Sequence, residues 1–104
     1  MIVEQRDYHV YTGKLPELVR LYETEGIAIQ QAVLGGLIGA FTTDIGALST
    51  YTHLWGYESL AEREERRARL QAREDWQAFL GKILPLIHTQ HSRILVPTSF
   101  SPIK

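Results

Sequence analysis

The sequence predicts an α+β domain, and three features carry the prediction. Runs of β-forming residues stand at 2–11 and 49–57. Apolar residues recur at helical spacing on Leu15, Leu18, Val19 and Tyr22, and again on Trp76, Phe79, Leu80, Ile83 and Leu84. The two kinds of segment follow one another in the order β-α-β-β-α-β. At 104 residues the chain has the length of one domain, residues 1–104.

The first strand, 2–11, is built on Val3, Tyr8, Val10 and Tyr11 and ends at Thr12-Gly13. A helix follows from Lys14, with Pro16 in its first turn, where a missing N–H breaks no hydrogen bond. Gly26 is its expected stop, and a short helix is expected to restart over 27–33. A second strand is expected over 34–43, with Gly35, Gly36 and Gly39 marking a bulge or a close backbone approach. Asp44-Ile45-Gly46 turns the chain into a third strand, 49–57, so that these two strands form a hairpin.

Ser59-Leu60-Ala61-Glu62 has the spacing of a capping box and opens the next helix. That helix carries Glu62 with Arg66 and Glu65 with Arg69 at i, i+4, acid first, which is the favourable order. Its apolar stripe is thin, so the mixed-sign run Arg63-Glu64-Glu65-Arg66-Arg67 is expected on a solvated face. The Trp76 stripe then makes an amphipathic helix, which Pro85 ends near Leu84. A last strand is expected at 92–96, followed by a tail from Pro97 that offers Phe100 and Ile103 for packing.

This order is that of a ferredoxin-like βαββαβ sandwich, one antiparallel sheet with helices on one face. Period-two alternation puts His53, Trp55 and Tyr57 on one side of the third strand and Thr52, Leu54 and Gly56 on the other. Glu4, Arg6 and Tyr8 share a side of the first strand. A face that mixes Trp and Tyr with Arg and His is neither a plain core nor a plain solvent face. A short domain buries a modest share of its surface. The expectation is therefore a homodimer in which a second copy closes over the aromatic-polar face and leaves a half-polar cavity between subunits.

Several function classes are excluded or disfavoured by composition. The chain has no cysteine, which removes disulfides, thiolate nucleophiles and Cys-ligated metals. Its 11 basic and 12 acidic residues give a net charge of −1, unlike the basic excess of a nucleic-acid binder. No apolar run reaches the roughly 18 residues of a membrane span. Met1-Ile2-Val3 leads into Glu4, Arg6 and Asp7 rather than a signal peptide, so a cytoplasmic location is expected. The histidines at 9, 53, 88 and 91 have no metal-ligand spacing, the glycines at 35, 36 and 39 make no phosphate loop, and the serines lie in no nucleophile motif.

Several stretches of this sequence resemble the NIPSNAP family. They are residues 4–8, Gly13-Lys14-Leu15-Pro16-Glu17, Leu34-Gly35, and Phe41-Thr42-Thr43-Asp44-Ile45-Gly46. They continue with His53-Leu54-Trp55-Gly56-Tyr57-Glu58-Ser59-Leu60, residues 76–85, Arg93-Ile94-Leu95 and Phe100-Ser101-Pro102. The stretch from His53 to Leu60 is the most specific of these. The resemblance implies the dimeric α/β-barrel superfamily, in which two ferredoxin-like sheets pair face to face. It implies no agreed chemistry. One departure is that Arg73-Glu74-Asp75 stands before Trp76 where the family suggests an Asp-Pro cap.

The candidate site is Arg6, Tyr8, His53, Trp55 and Tyr57. An arginine fork suits a carboxylate, the rings suit a flat molecule, and an imidazole moves protons near neutral pH. The plainer alternative makes Trp55 and Tyr57 dimer-core aromatics, pairs Arg6 with Glu4 or Glu58, and leaves His53 a satisfied core histidine. Two functions follow. One is a homodimeric binding module that holds a small molecule between subunits. The other is a cofactor-independent oxygenase or isomerase acting on an aromatic or keto substrate. In the latter His53 is the acid/base, Arg6 the anion anchor, and Trp55 and Tyr57 the stacking walls. Neither asks for a metal or a cofactor.

Overall fold

From the N-terminus the chain runs through β1 (Ile2–Val10), α1 (Leu15–Leu21), a π-helical turn (Tyr22–Gly26) and α2 (Ile27–Leu34). It continues through β2 (Leu37–Thr42), β3 (Thr50–Tyr57), α3 (Leu60–Gln71), α4 (Glu74–Ile83), a 3₁₀ turn (Leu84–Leu86) and β4 (Ile87–Leu95). This computed structural model describes Met1–Lys104. The four strands form one sheet of order β2-β3-β1-β4, with every neighbouring pair antiparallel. That is the ferredoxin-like α+β fold.

Gly26 does not stop the first helix. The backbone stays helical through it, with φ −73°, and continues into α2. The Phe79 ring of α4 lies against Gly26, where an added Cβ would collide with three ring carbons. The residue is small so that α4 can pack closely. The helical run ends at Gly35, whose φ of +74° suits glycine and whose N–H donates to Gln31 O at 3.0 Å. The second strand consequently starts at Leu37 rather than 34. Both glycine expectations hold nearby: the pairing of β2 with β3 slips between Leu37 and Gly39, and Gly56 N–H donates to Gly36 O at 2.7 Å.

The Ser59 hydroxyl accepts from Glu62 N–H at 3.1 Å, and the Glu62 carboxylate reaches back to Glu58 N–H at 2.6 Å. α3 and α4 separate at Arg73, which is extended; Asp75 pairs with it at 2.8 Å and accepts from Trp76 N–H. Pro85 falls in the 3₁₀ turn just past α4. The last strand is longer than the 92–96 expected. It begins at Ile87, because the polar stretch that follows pairs in register with β1, Gln90 opposite Tyr8 and Ser92 opposite Arg6.

The two sheet faces are the reverse of the expectation. Tyr51, His53, Trp55 and Tyr57 lie beneath the chain's own helices, in one core with Leu18, Tyr22, Leu70, Trp76, Phe79 and Ile83. β1 register puts Glu4, Arg6 and Tyr8 beside them on the same face. The bare face carries Gln5, Asp7, Thr52 and Leu54. There Asp7 accepts from Thr52 Oγ1 at 2.6 Å and from Gln5 Nε2 at 3.2 Å. The tail turns toward one end of this face, where Val96, Pro97 and Ile103 join Val3, Ile38, Leu54 and Leu95 around a cleft of about 220 Å³. Phe100 remains 85% exposed.

Candidate functional site

The interior beneath the helices is unusually polar, and its charges come from β1 and α3. Glu4 is fully buried and accepts from Arg6 Nη1 at 3.0 Å, from Arg63 Nε and Nη2 at 3.0 and 2.8 Å, and from Ser92 Oγ at 2.5 Å. Burial alone would raise its pKa. The hydrogen bonds from Arg63 and Ser92 and the charges of Arg6 and Arg63 outweigh burial and lower it to about 2. Arg6 also donates from Nε to the Tyr8 hydroxyl at 3.1 Å. The expected Arg6–Glu4 pair is therefore present, with Arg63 as a third member.

Arg63 reaches the sheet because α3 is not a solvated helix throughout. Arg63, Arg66, Arg67 and Leu70 fall at i, i+3, i+4 and i+7, a core-facing stripe whose apolar places are taken by arginine stems. Arg66 Nη1 caps Leu34 O at 2.9 Å, at the end of α2. Arg67 lies close to the Tyr57 hydroxyl, yet neither Tyr57 Oη nor Arg67 Nη1 completes a hydrogen bond.

His53 is fully buried, and its ring packs edge-on to Tyr8 at 5.0 Å. Trp55 Nε1–H donates to His53 Nδ1 at 2.8 Å, so the neutral ring carries its proton on Nε2. Nε2 is buried and has no partner. Burial, aided by the Arg6 charge, pushes the His53 pKa down to about 3. A histidine held there is a neutral N–H donor and does not shuttle protons near neutral pH.

Of the five residues singled out from the sequence, Arg6 and Tyr8 line a common cavity, while His53, Trp55 and Tyr57 pack around it as core. The cavity holds about 140 Å³ and is the most enclosed in the molecule. Its other polar walls are Gln30 of α2, Arg67 and the exposed Gln71 of α3, Trp76 of α4 and the exposed Gln90 of β4. Gln30 Oε1, Arg67 Nη1 and Trp76 Nε1 are all buried without a hydrogen-bond partner. Buried polar groups are paired in the great majority of cases; three of the six unpaired ones in this chain belong to residues that line this one hollow. Larger clefts exist, one of about 290 Å³ between Val19, Tyr22 and Phe41, but they are more open, and that one is largely apolar. Arg67 and Gln30 were missed in the sequence. The stripe on α3 is the signal that would have found Arg67; nothing local would have found Gln30.

A four-stranded antiparallel sheet with its helices on one face and a polar hollow between them places the chain among the small ferredoxin-like α+β domains. The NIPSNAP family model matches residues 3–102, and the chain belongs to that family. It is 37% identical to NipSnap homolog 2 of Danio rerio over 99% of its own length, and 31% identical to the human NipSnap homolog 2 over the same share. It spans 35% of the length of each of these relatives. Among solved structures, a NIPSNAP family protein of Agrobacterium tumefaciens superposes with TM-score 0.97 at 50% identity, covering 99% of this chain and 98% of that one. A more distant likeness is to a Nitrosomonas europaea protein named for antibiotic biosynthesis monooxygenases, with TM-score 0.68 and 8% identity over 93% of this chain and 98% of that one. It shares the fold. No helix is long and apolar enough to cross a membrane.

Proposed function

We propose that the chain, residues 1–104 acting as one domain, is a small-molecule-binding protein that works as a homodimer. Each subunit holds its ligand beneath its own helices, rather than between subunits. The observation that carries this reading is the set of unpaired buried groups, Gln30 Oε1, Arg67 Nη1 and Trp76 Nε1, on residues that line one partly open cavity. The second copy covers the opposite face of the sheet. In support, that face has no helix over it, and an antiparallel sheet with apolar rim residues Ile38, Leu54 and Leu95 gains from cover. An oxygenase or isomerase acting on an aromatic or keto substrate would need a base in the cavity. The walls hold no carboxylate or imidazole, and the nearby histidine stays neutral, so binding comes first.

Native mass spectrometry tests both parts together. A species of twice 11.9 kDa that carries extra mass from a co-purified small molecule, lost on substituting cavity residues, is expected. A strict monomer at micromolar concentration overturns the dimer.

A further inference from the structure

The cavity beneath the helices has a charge imbalance that bears on what it holds. Arg6, Arg63 and Arg67 all point into this interior from β1 and α3, against the single carboxylate of Glu4. Asp7 is on the other side of the sheet, and Glu62 is taken by Arg66 at 2.7 Å. Arg6 and Arg63 are both satisfied by Glu4, and Arg6 is further tied to Tyr8. Arg67 is left with a buried Nη1 that completes no hydrogen bond, although the Tyr57 hydroxyl lies nearby. Arg67 is half-buried, and the one carboxylate acting on it, Glu4, is already shared by Arg6 and Arg63; a cation so little compensated is costly, and the cost falls when an anion arrives.

From this juxtaposition we infer that the ligand is a small carboxylate, anchored by Arg67 and not by Arg6. Trp76, only 3% exposed, lines the same hollow, and its Nε1–H is a second donor without a partner. Gln30, 1% exposed, lines the same hollow with its acceptor Oε1 unpaired; an anion is accommodated there once the amide turns about its last bond to present Nε2–H instead. Leu80 and Ile83 line the apolar side. At about 140 Å³ the hollow matches a cavity of about 150 Å³ known to accept benzene, which limits the acid to one ring or a short chain. The inference rests on the cavity being the binding site proposed above.

Matched acids and amides test it: acetate, pyruvate and benzoate against acetamide, pyruvamide and benzamide, in chloride-free buffer at neutral pH. Trp76 fluorescence and calorimetry report binding to the full chain. At least one acid should bind roughly tenfold more tightly than its amide, the margin of one charge-assisted hydrogen bond over a neutral one. Arg67→Gln should remove that margin, and Arg67→Lys should restore part of it, with circular dichroism confirming the fold of each. Amides that bind as well as acids overturn the carboxylate assignment and leave the cavity as a site. An acid preference unchanged in Arg67→Gln overturns the anchor. Failure of all six probes overturns both the inference and the cavity as the binding site.

Discussion

The indole N–H of Trp55 donates to Nδ1 of His53 at 2.8 Å, with both side chains fully buried. This one hydrogen bond selects the His53 tautomer and leaves Nε2–H facing the interior unpaired. His53 is thereby a fixed donor in the wall behind Tyr8.

His53 should not titrate in the folded protein between about pH 5 and pH 8, unlike an ordinary histidine. Its folded pKa, about 3, lies below the ordinary 6.5, so protons favour the unfolded chain. The stability it contributes is complete above 6.5 and is lost as pH falls from there toward about 3. Ring-proton NMR shifts check the first point. Urea unfolding against pH checks the second, with His53→Gln flattening the curve in that window. A His53 resonance that titrates near 6.5 would refute the assignment.

Glu4→Gln should destabilise the protein by about 3 kcal/mol or more at neutral pH, because Arg6 and Arg63 lose their shared counter-charge. The Glu4 folded pKa is lowered from 4.5 to about 2, so its contribution is present above 4.5 and lost as pH drops through about 2. The gap between wild type and variant should therefore close in strong acid. Chemical denaturation across that range measures it, and a gap independent of pH would contradict the account.

Gly26→Ala should lower stability by about 2 kcal/mol, since its methyl group meets the Phe79 ring. Phe79→Leu makes room for it at its own cost. The double variant should therefore lose less than the sum of the two single losses, as coupled neighbours do. Thermal melts of the four proteins supply the cycle. Strict additivity would show that the ring and the glycine are not in contact.

Arg66→Ala should cost about 1–2 kcal/mol, because it leaves Leu34 O at the end of α2 without its donor. Glu62→Gln, which weakens a partly exposed ion pair but keeps a side chain able to cap, should cost less. Urea midpoints of the two variants rank them. The reverse order would make the ion pair, not the helix-end bond, the main role of Arg66.

Much of the fold was legible because local rules acted alone. The Ser59 cap, the break at Pro85 and the hairpin from β2 to β3 depend on residues close in sequence, and each appears where the residues predict it. The failures share a different cause. Gly26 has the composition of a helix stop, but its role is set by Phe79, which lies far along the chain. The start of β4 is polar and carries little strand signal; its pairing with β1 makes it a strand. Arg63 and Arg67 look solvated in a hydrophobicity pattern, and only a buried Glu4 opposite them turns them inward.

The candidate site divides along the same line. By itself the sequence determined the family, the element order and which side chains share a strand face. His53, Trp55 and Tyr57 do lie together, with Arg6 and Tyr8 beside them. Only the tertiary structure decided which face the helices cover. The reason is that a period of two separates the two sides of a strand without labelling either as inner. That label comes from the side of the sheet to which the crossover helices return. Here they return over the aromatic-polar face, and the cavity lies within the chain, under its own helices.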